Sequence, residues 1–119
     1  MTNNLASIEG VEVDSHGGWC PVQVEGTIDG LAFYFRARGD HWTVTISMTA
    51  EPVYAYELAS AETYWATGGY YGHGEQAGWM DDEHAEACIR AAIEAWRARG
   101  GASSPHGLFD TVDTPTRPL

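Results

Sequence analysis

The sequence predicts an α+β domain: an antiparallel β-meander of four to five strands with one C-terminal amphipathic helix packed on its apolar face. Three observations predict it. Between residues 21 and 48, three consecutive runs alternate apolar and polar residues with period two, the signature of strands that bury one face. The runs are separated by Asp29-Gly30 and Gly39-Asp40, dipeptides that supply the positive φ a two-residue hairpin turn requires. Further on, Ala85, Cys88, Ile89, Ala92, Ile93 and Trp96 recur at spacings of three and four, one apolar stripe along a helix.

Taken in order, residues 1–7 read as a disordered lead, residues 8–99 as the single domain and residues 100–119 as a mobile Gly, Ser, Pro and Thr-rich tail. Val11 and Val13 alternate against Glu12, which makes residues 8–13 an edge strand, and Ser15-His16-Gly17-Gly18 a turn. Trp19-Cys20-Pro21 leads into the meander. There the turns set the register, because a two-residue connection decides which residues lie opposite each other. Ile28 meets Leu31, Gly26 meets Phe33 and Val24 meets Phe35; then Ala37 meets Trp42, Phe35 meets Val44 and Phe33 meets Ile46. All six pairs fall on the apolar face, with the Phe33 ring covering the bare backbone of Gly26. The other face carries Gln23, Glu25, Thr27, Tyr34, Arg36, Arg38, His41, Thr43, Thr45 and Ser47, with Glu25 and Arg36 as a diagonal pair. It reads as a solvated face, with a binding face as the alternative.

Residues 49–66 mix helical and strand signals. Tyr54, Tyr56 and Leu58 alternate, which favours extended chain over residues 53–58 and again over 63–66. Residues 67–79, TGGYYGHGEQAGW, form a glycine-rich loop, the segment folding alone explains least. Asp81 or Asp82 then caps a helix to about Arg99. Glu83 and Glu86 sit in its first turn, Arg97 and Arg99 in its last, and Gly100-Gly101 ends it, as the helix dipole favours. Glu86 with Arg90, and Glu94 with Arg97, are spaced as surface ion pairs.

Composition narrows the chemistry. The 119 residues are 44% hydrophobic, enough for one modest core, and no apolar run approaches a membrane span. The first ten residues have neither the basic nor the apolar region of a secretory leader, so the expected location is cytoplasmic and Cys20 and Cys88 are expected to be free, buried thiols. Net charge is −11. Residues 51–87 alone hold eight acids and no arginine, and the chain has no lysine at all. That removes Schiff-base and lysine-base chemistry and the usual means of gripping a nucleic-acid backbone, so direct nucleic-acid binding is not expected.

Catalytic readings find little support. Gly72-His73-Gly74 ahead of the helix matches neither a dinucleotide fingerprint nor a P-loop, and Asp81, Asp82 and Glu83 ring the helix N-terminus against anions. His73, Asp81, Glu83 and His84 offer nitrogen and oxygen donors within twelve residues, the basis of an alternative metal-dependent or other small enzyme module built on His73 and His84. Cys88 belongs to the buried helix stripe and Cys20 to a strand start, which suits packing better than nucleophilic attack. No catalytic residue, cofactor or metal is therefore expected.

A surface argument remains. Acids are interleaved with aromatic residues through the irregular region, and Glu57, Glu62, Tyr70, Tyr71, Glu75, Asp81, Asp82, Glu83 and Glu86 make a candidate patch for a basic protein partner, with rings as anchors and carboxylates steering the encounter. Finally, VEGTIDGLAFYFRARGDHW, with AGWM just before the last helix, resembles a family of short phage and prophage proteins of GC-rich bacteria over about residues 20–99. The resemblance brings no assigned activity and no catalytic residue. It implies a mobile-element origin, similar in character to anti-CRISPR inhibitors and DNA mimics. The leading expectation is a non-enzymatic inhibitor that binds a CRISPR or other nucleic-acid-handling complex; a self-associating phage structural or accessory protein is a further alternative.

Overall fold

The computed structural model describes residues 8–17, 22–54, 63–70, 80–101, 109–111 and 114. Six strands form one sheet in sequence order: β1 (Val11–Gly17), β2 (Val22–Ile28), β3 (Leu31–Arg38), β4 (His41–Ser47), β5 (Tyr64–Tyr70) and β6 (Phe109–Thr111). One helix, α1 (Asp82–Ala98), follows β5. The first five strands are an antiparallel meander, and β6 joins β5 in parallel.

The meander has the register its turns demand. All six apolar pairs expected across β2, β3 and β4 are present. At the first turn Asp29 and Gly30 both have positive φ, 53° and 82°, the pattern of a type I′ turn; at the second only Gly39 does, at 66°, as a type II′ turn requires. Gly26 sits opposite Phe33, and a Cβ placed there would lie 2.8 Å from Phe33 Cε2 and overlap the carbonyl oxygen of Glu12 on β1. The position is closed to any side chain by both neighbours at once.

The resulting apolar face is sealed. Val24, Ile28, Phe33, Phe35, Ala37, Trp42, Val44 and Ile46 have no solvent exposure, and they share one core with Ala85, Cys88, Ile89, Ala92, Ile93 and Trp96 of α1 and with Met80 before it. The whole predicted helix stripe is buried. Asp81 is the N-cap; its carboxylate accepts the His84 amide at 2.9 Å, relieving one of the amides a helix start leaves unpaired.

Four sequence expectations need correction. The edge strand continues to Gly17 rather than turning at Ser15, because Asp14 is accommodated as a bulge between Val13 and Ser15, which lets pairing with β2 resume. Thr67, Gly68, Gly69 and Tyr70 are strand, not loop: Gly69 lies opposite Trp42 and Gly68 opposite Thr43, where a bare backbone permits close approach. Val53 and Tyr54, which open the expected extended run, are irregular rather than a strand. And the tail contributes β6 to the sheet, while the hydroxyl of Thr114 bonds the carbonyl of Tyr70 and accepts from Trp42 Nε1 at 2.8 Å. The N-terminal lead, Trp19 and Cys20, residues 55–62 with the rest of the expected extended run, residues 71–79 and most of the tail lie outside the described residues. No helix among the described residues is long and apolar enough to cross a membrane.

Candidate functional site

Five of the nine residues of the expected patch are among those described. Tyr70 ends β5 with 59% of its surface exposed. Asp81, Asp82 and Glu83 stand at the start of α1, where Asp81 serves the helix as its cap and Glu83 faces solvent. Glu86 is different: at 3% exposure it is enclosed, because the helix turns it inward with His84 and Ala85. Placing Glu86 on a surface patch is thus corrected by its burial. Glu57, Glu62, Tyr71 and Glu75 lie outside the described residues, as does His73. His84 is itself buried at 6% exposure, and among the described residues no three His, Cys, Asp or Glu side chains are grouped to hold a metal ion. Cys88 is a free thiol in the core, and burial pushes its pKa up to about 12, which keeps it protonated and a poor nucleophile at neutral pH.

Elsewhere the carboxylates are partly engaged and partly bare. Arg97 donates to the carbonyl of Glu9 at 2.6 Å and reaches Asp29 at 3.4 Å, so it ties the end of α1 to the β2–β3 turn instead of pairing with Glu94. Asp40 contacts His41 Nδ1 at 3.2 Å. The carboxylates of Glu9, Glu12, Asp14, Glu51, Glu83 and Glu94 are exposed and bonded to no described residue.

The face of the sheet opposite α1 holds the arrangement that residue-by-residue reading of motifs missed. Residues 52–54 fold over part of this face. Thr45 donates to the carbonyl of Val53 at 2.8 Å, and Tyr54 stands edge-on to Tyr34 with ring centres 5.0 Å apart. The Tyr54 hydroxyl donates to Glu25 at 2.6 Å, and that bond raises the Tyr54 pKa. Glu25 is therefore committed to Tyr54, and the expected diagonal pair with Arg36 does not form. Beside this cover lies a hollow of about 380 Å³ lined by Tyr34, Arg36, Arg38, Gly39, His41, Thr43, Thr45 and Tyr54. The signal for it was present in the register: Arg36 and Arg38 are two apart on β3, hence on one face, and the turn places Thr43 and His41 directly opposite them. A second hollow, about 450 Å³, lies at the other end of the sheet among Asp29, Leu31, Trp96, Arg97, Gly100 and Gly101.

Compared with family models, with curated proteins and with solved structures, the chain matches none.

Proposed function

We propose that the chain is a small non-enzymatic binding protein, of the mobile-element type its strands resemble, that docks by charge on the basic surface of a nucleic-acid-handling complex in a host cytoplasm, as anti-CRISPR inhibitors and DNA mimics do. The observation that carries this reading is the set of exposed carboxylates, Glu9, Glu12, Asp14, Glu51, Glu83 and Glu94, to which no described residue offers a bond. Carboxylates that face solvent without a described partner set the surface field, and at a net charge of −11 that field draws a basic partner and repels nucleic acid. Tyr70, Asp82 and Glu83 are the described members of the expected patch that stay within a partner's reach, with Tyr70 as the aromatic anchor.

The test is binding of the full chain to purified CRISPR effector complexes and other basic nucleic-acid-binding proteins, followed from about 0.05 M to about 0.5 M salt, a range over which the screening length shrinks about threefold. Affinity should fall steeply across that range, and it should fall again when charge is removed from the start of α1 by Asp82→Asn together with Glu83→Gln. Absence of binding across the panel, or an affinity indifferent to salt, would count decisively against charge-led docking.

A further inference from the structure

We propose that the open face of β3 and β4 holds a small organic phosphomonoester, its phosphate between Arg36, Arg38 and His41 and its organic portion against Tyr54. This site is independent of the partner surface above. Register places Arg36 opposite Thr43 and Arg38 opposite His41, so two guanidinium groups, an imidazole and a hydroxyl border one hollow of about 380 Å³. Neither arginine side chain has a hydrogen bond or ion pair with any described residue. The Nε of Arg36 is enclosed and has no acceptor among the described residues. Buried donors ordinarily have partners, and a guanidinium is built to give two parallel N–H bonds to phosphate or carboxylate oxygens.

The local acids do not fill that role. Glu25, the diagonal neighbour, accepts from Tyr54 at 2.6 Å, and Asp40 is held by His41 at 3.2 Å on the rim. Two like charges on adjacent same-face positions repel, and an anion seated between them turns that repulsion into two attractions. Phosphate suits the donors better than carboxylate does: three terminal oxygens and nearly two negative charges match two guanidinium forks with a hydroxyl beside them. The hollow is also larger than a phosphate group and falls within the range of clefts that hold whole small molecules. Its remaining wall is aromatic, Tyr54 with Tyr34 edge-on behind it, which offers a ring of the ligand a face to lie on. The protein's overall negative charge works against approach from a distance, but at physiological salt charges beyond about 8 Å are largely screened, so contact chemistry decides.

The experiment titrates the isotope-labelled full chain with inorganic phosphate, adenosine 5′-monophosphate and adenosine at constant ionic strength, following backbone amides and arginine Nε–H resonances. Saturable shifts are expected at Arg36 Nε–H and at the Arg38, His41 and Thr43 amides. The nucleotide should bind about fivefold or more tighter than inorganic phosphate, the increment a stacked base supplies, and adenosine alone should leave the arginine signals unmoved. Arg36→Gln and Arg38→Gln should each weaken nucleotide binding about tenfold or more, as loss of a charged hydrogen bond does. Arg38 is exposed, so its variant keeps the fold and decides the matter if Arg36→Gln perturbs folding. Shifts that never saturate, an affinity unchanged in Arg38→Gln, or a nucleotide no tighter than inorganic phosphate would overturn the proposal.

Discussion

The two faces of the same three strands are buried by different means. On one face Val24, Ile28, Phe33, Phe35, Trp42, Val44 and Ile46 leave water completely beneath α1, as their side chains require. On the other, Tyr34 is 7% exposed, Thr45 3% and Ser47 2%, although their side chains carry polar groups that water would serve. Hydrogen bonds accompany burial there: Tyr34 accepts from Gln23 at 3.0 Å, Thr45 bonds Val53, and Ser47 accepts the Thr49 amide at 3.1 Å. The first face is closed by the apolarity of its residues, the second by a chain segment that happens to return across it. Beside Tyr54, the guanidinium groups of Arg36 and Arg38 bond no described residue.

The sharpest way to break this comparison is to hollow out the apolar face. Phe33→Ala should lower stability by about 3–5 kcal/mol, the usual cost of removing a buried ring, read from denaturant midpoints at unchanged m-value. A smaller loss, about 1–3 kcal/mol, is expected for Gly26→Ala, whose new methyl must both push Phe33 and part β1 from β2. The two together should cost less than their sum, since removing the ring relieves one of the two overlaps. Strict additivity in that cycle would mean that Phe33 does not cover Gly26.

How much of this was readable beforehand follows the same division. The hairpin turns and the alternation determine the pairing of β2, β3 and β4 locally, so Gly26 opposite Phe33 could be written down from the sequence. The stripe of α1 likewise needs only its own spacing. What could not be read depends on distant chain: that Gly68 and Gly69 continue β5 because β4 pairs with both and β6 with Gly68, that the tail supplies β6, and that Arg97 prefers Asp29 to Glu94. For the site, the acids were visible as a count but not as a surface; burial of Glu86 on the helix's inner side was hidden by its role as a first-turn acid. Arg36 and Arg38 were visible as face-mates of His41 and Thr43. Their lack of a partner among the described residues was not, because nothing local says that Tyr54 takes Glu25.

Next in size is a pH effect from the covering helix. An unfolded chain's thiol ionises near its ordinary value of about 8.5, whereas burial holds Cys88 protonated up to about 12. Between those values the folded chain binds the extra proton, so stability is intact below the lower pKa and declines as pH rises toward the upper one, by up to about 1.4 kcal/mol per pH unit. Wild type minus Cys88→Ala, followed by thermal midpoint through that window, isolates the contribution; parallel curves would mean that the thiol is not sealed in the core. On the opposite face, Thr45→Val keeps the shape but removes the donor to Val53, leaving its carbonyl short of a partner at about 1–2 kcal/mol. If calorimetry shows no loss, residues 52–54 do not hold that face closed.

The smallest effect tests the comparison where it is most specific. A charged side chain that serves the fold reveals itself by the stability lost with it; the guanidinium groups of Arg36 and Arg38 make no bond to a described residue, and each sits beside the other's charge. Arg38→Met should therefore change stability by no more than about 0.5 kcal/mol, and Arg36→Met, which also removes the unsatisfied Nε, should be neutral or slightly stabilising. Paired melting curves at low and high salt separate the two contributions. Relief of like-charge repulsion fades as salt screens it, while removal of a buried donor does not. A loss above about 1 kcal/mol in either variant would show that the arginines serve the sheet itself, and the polar face would then be closed throughout by its own residues, as the apolar face is.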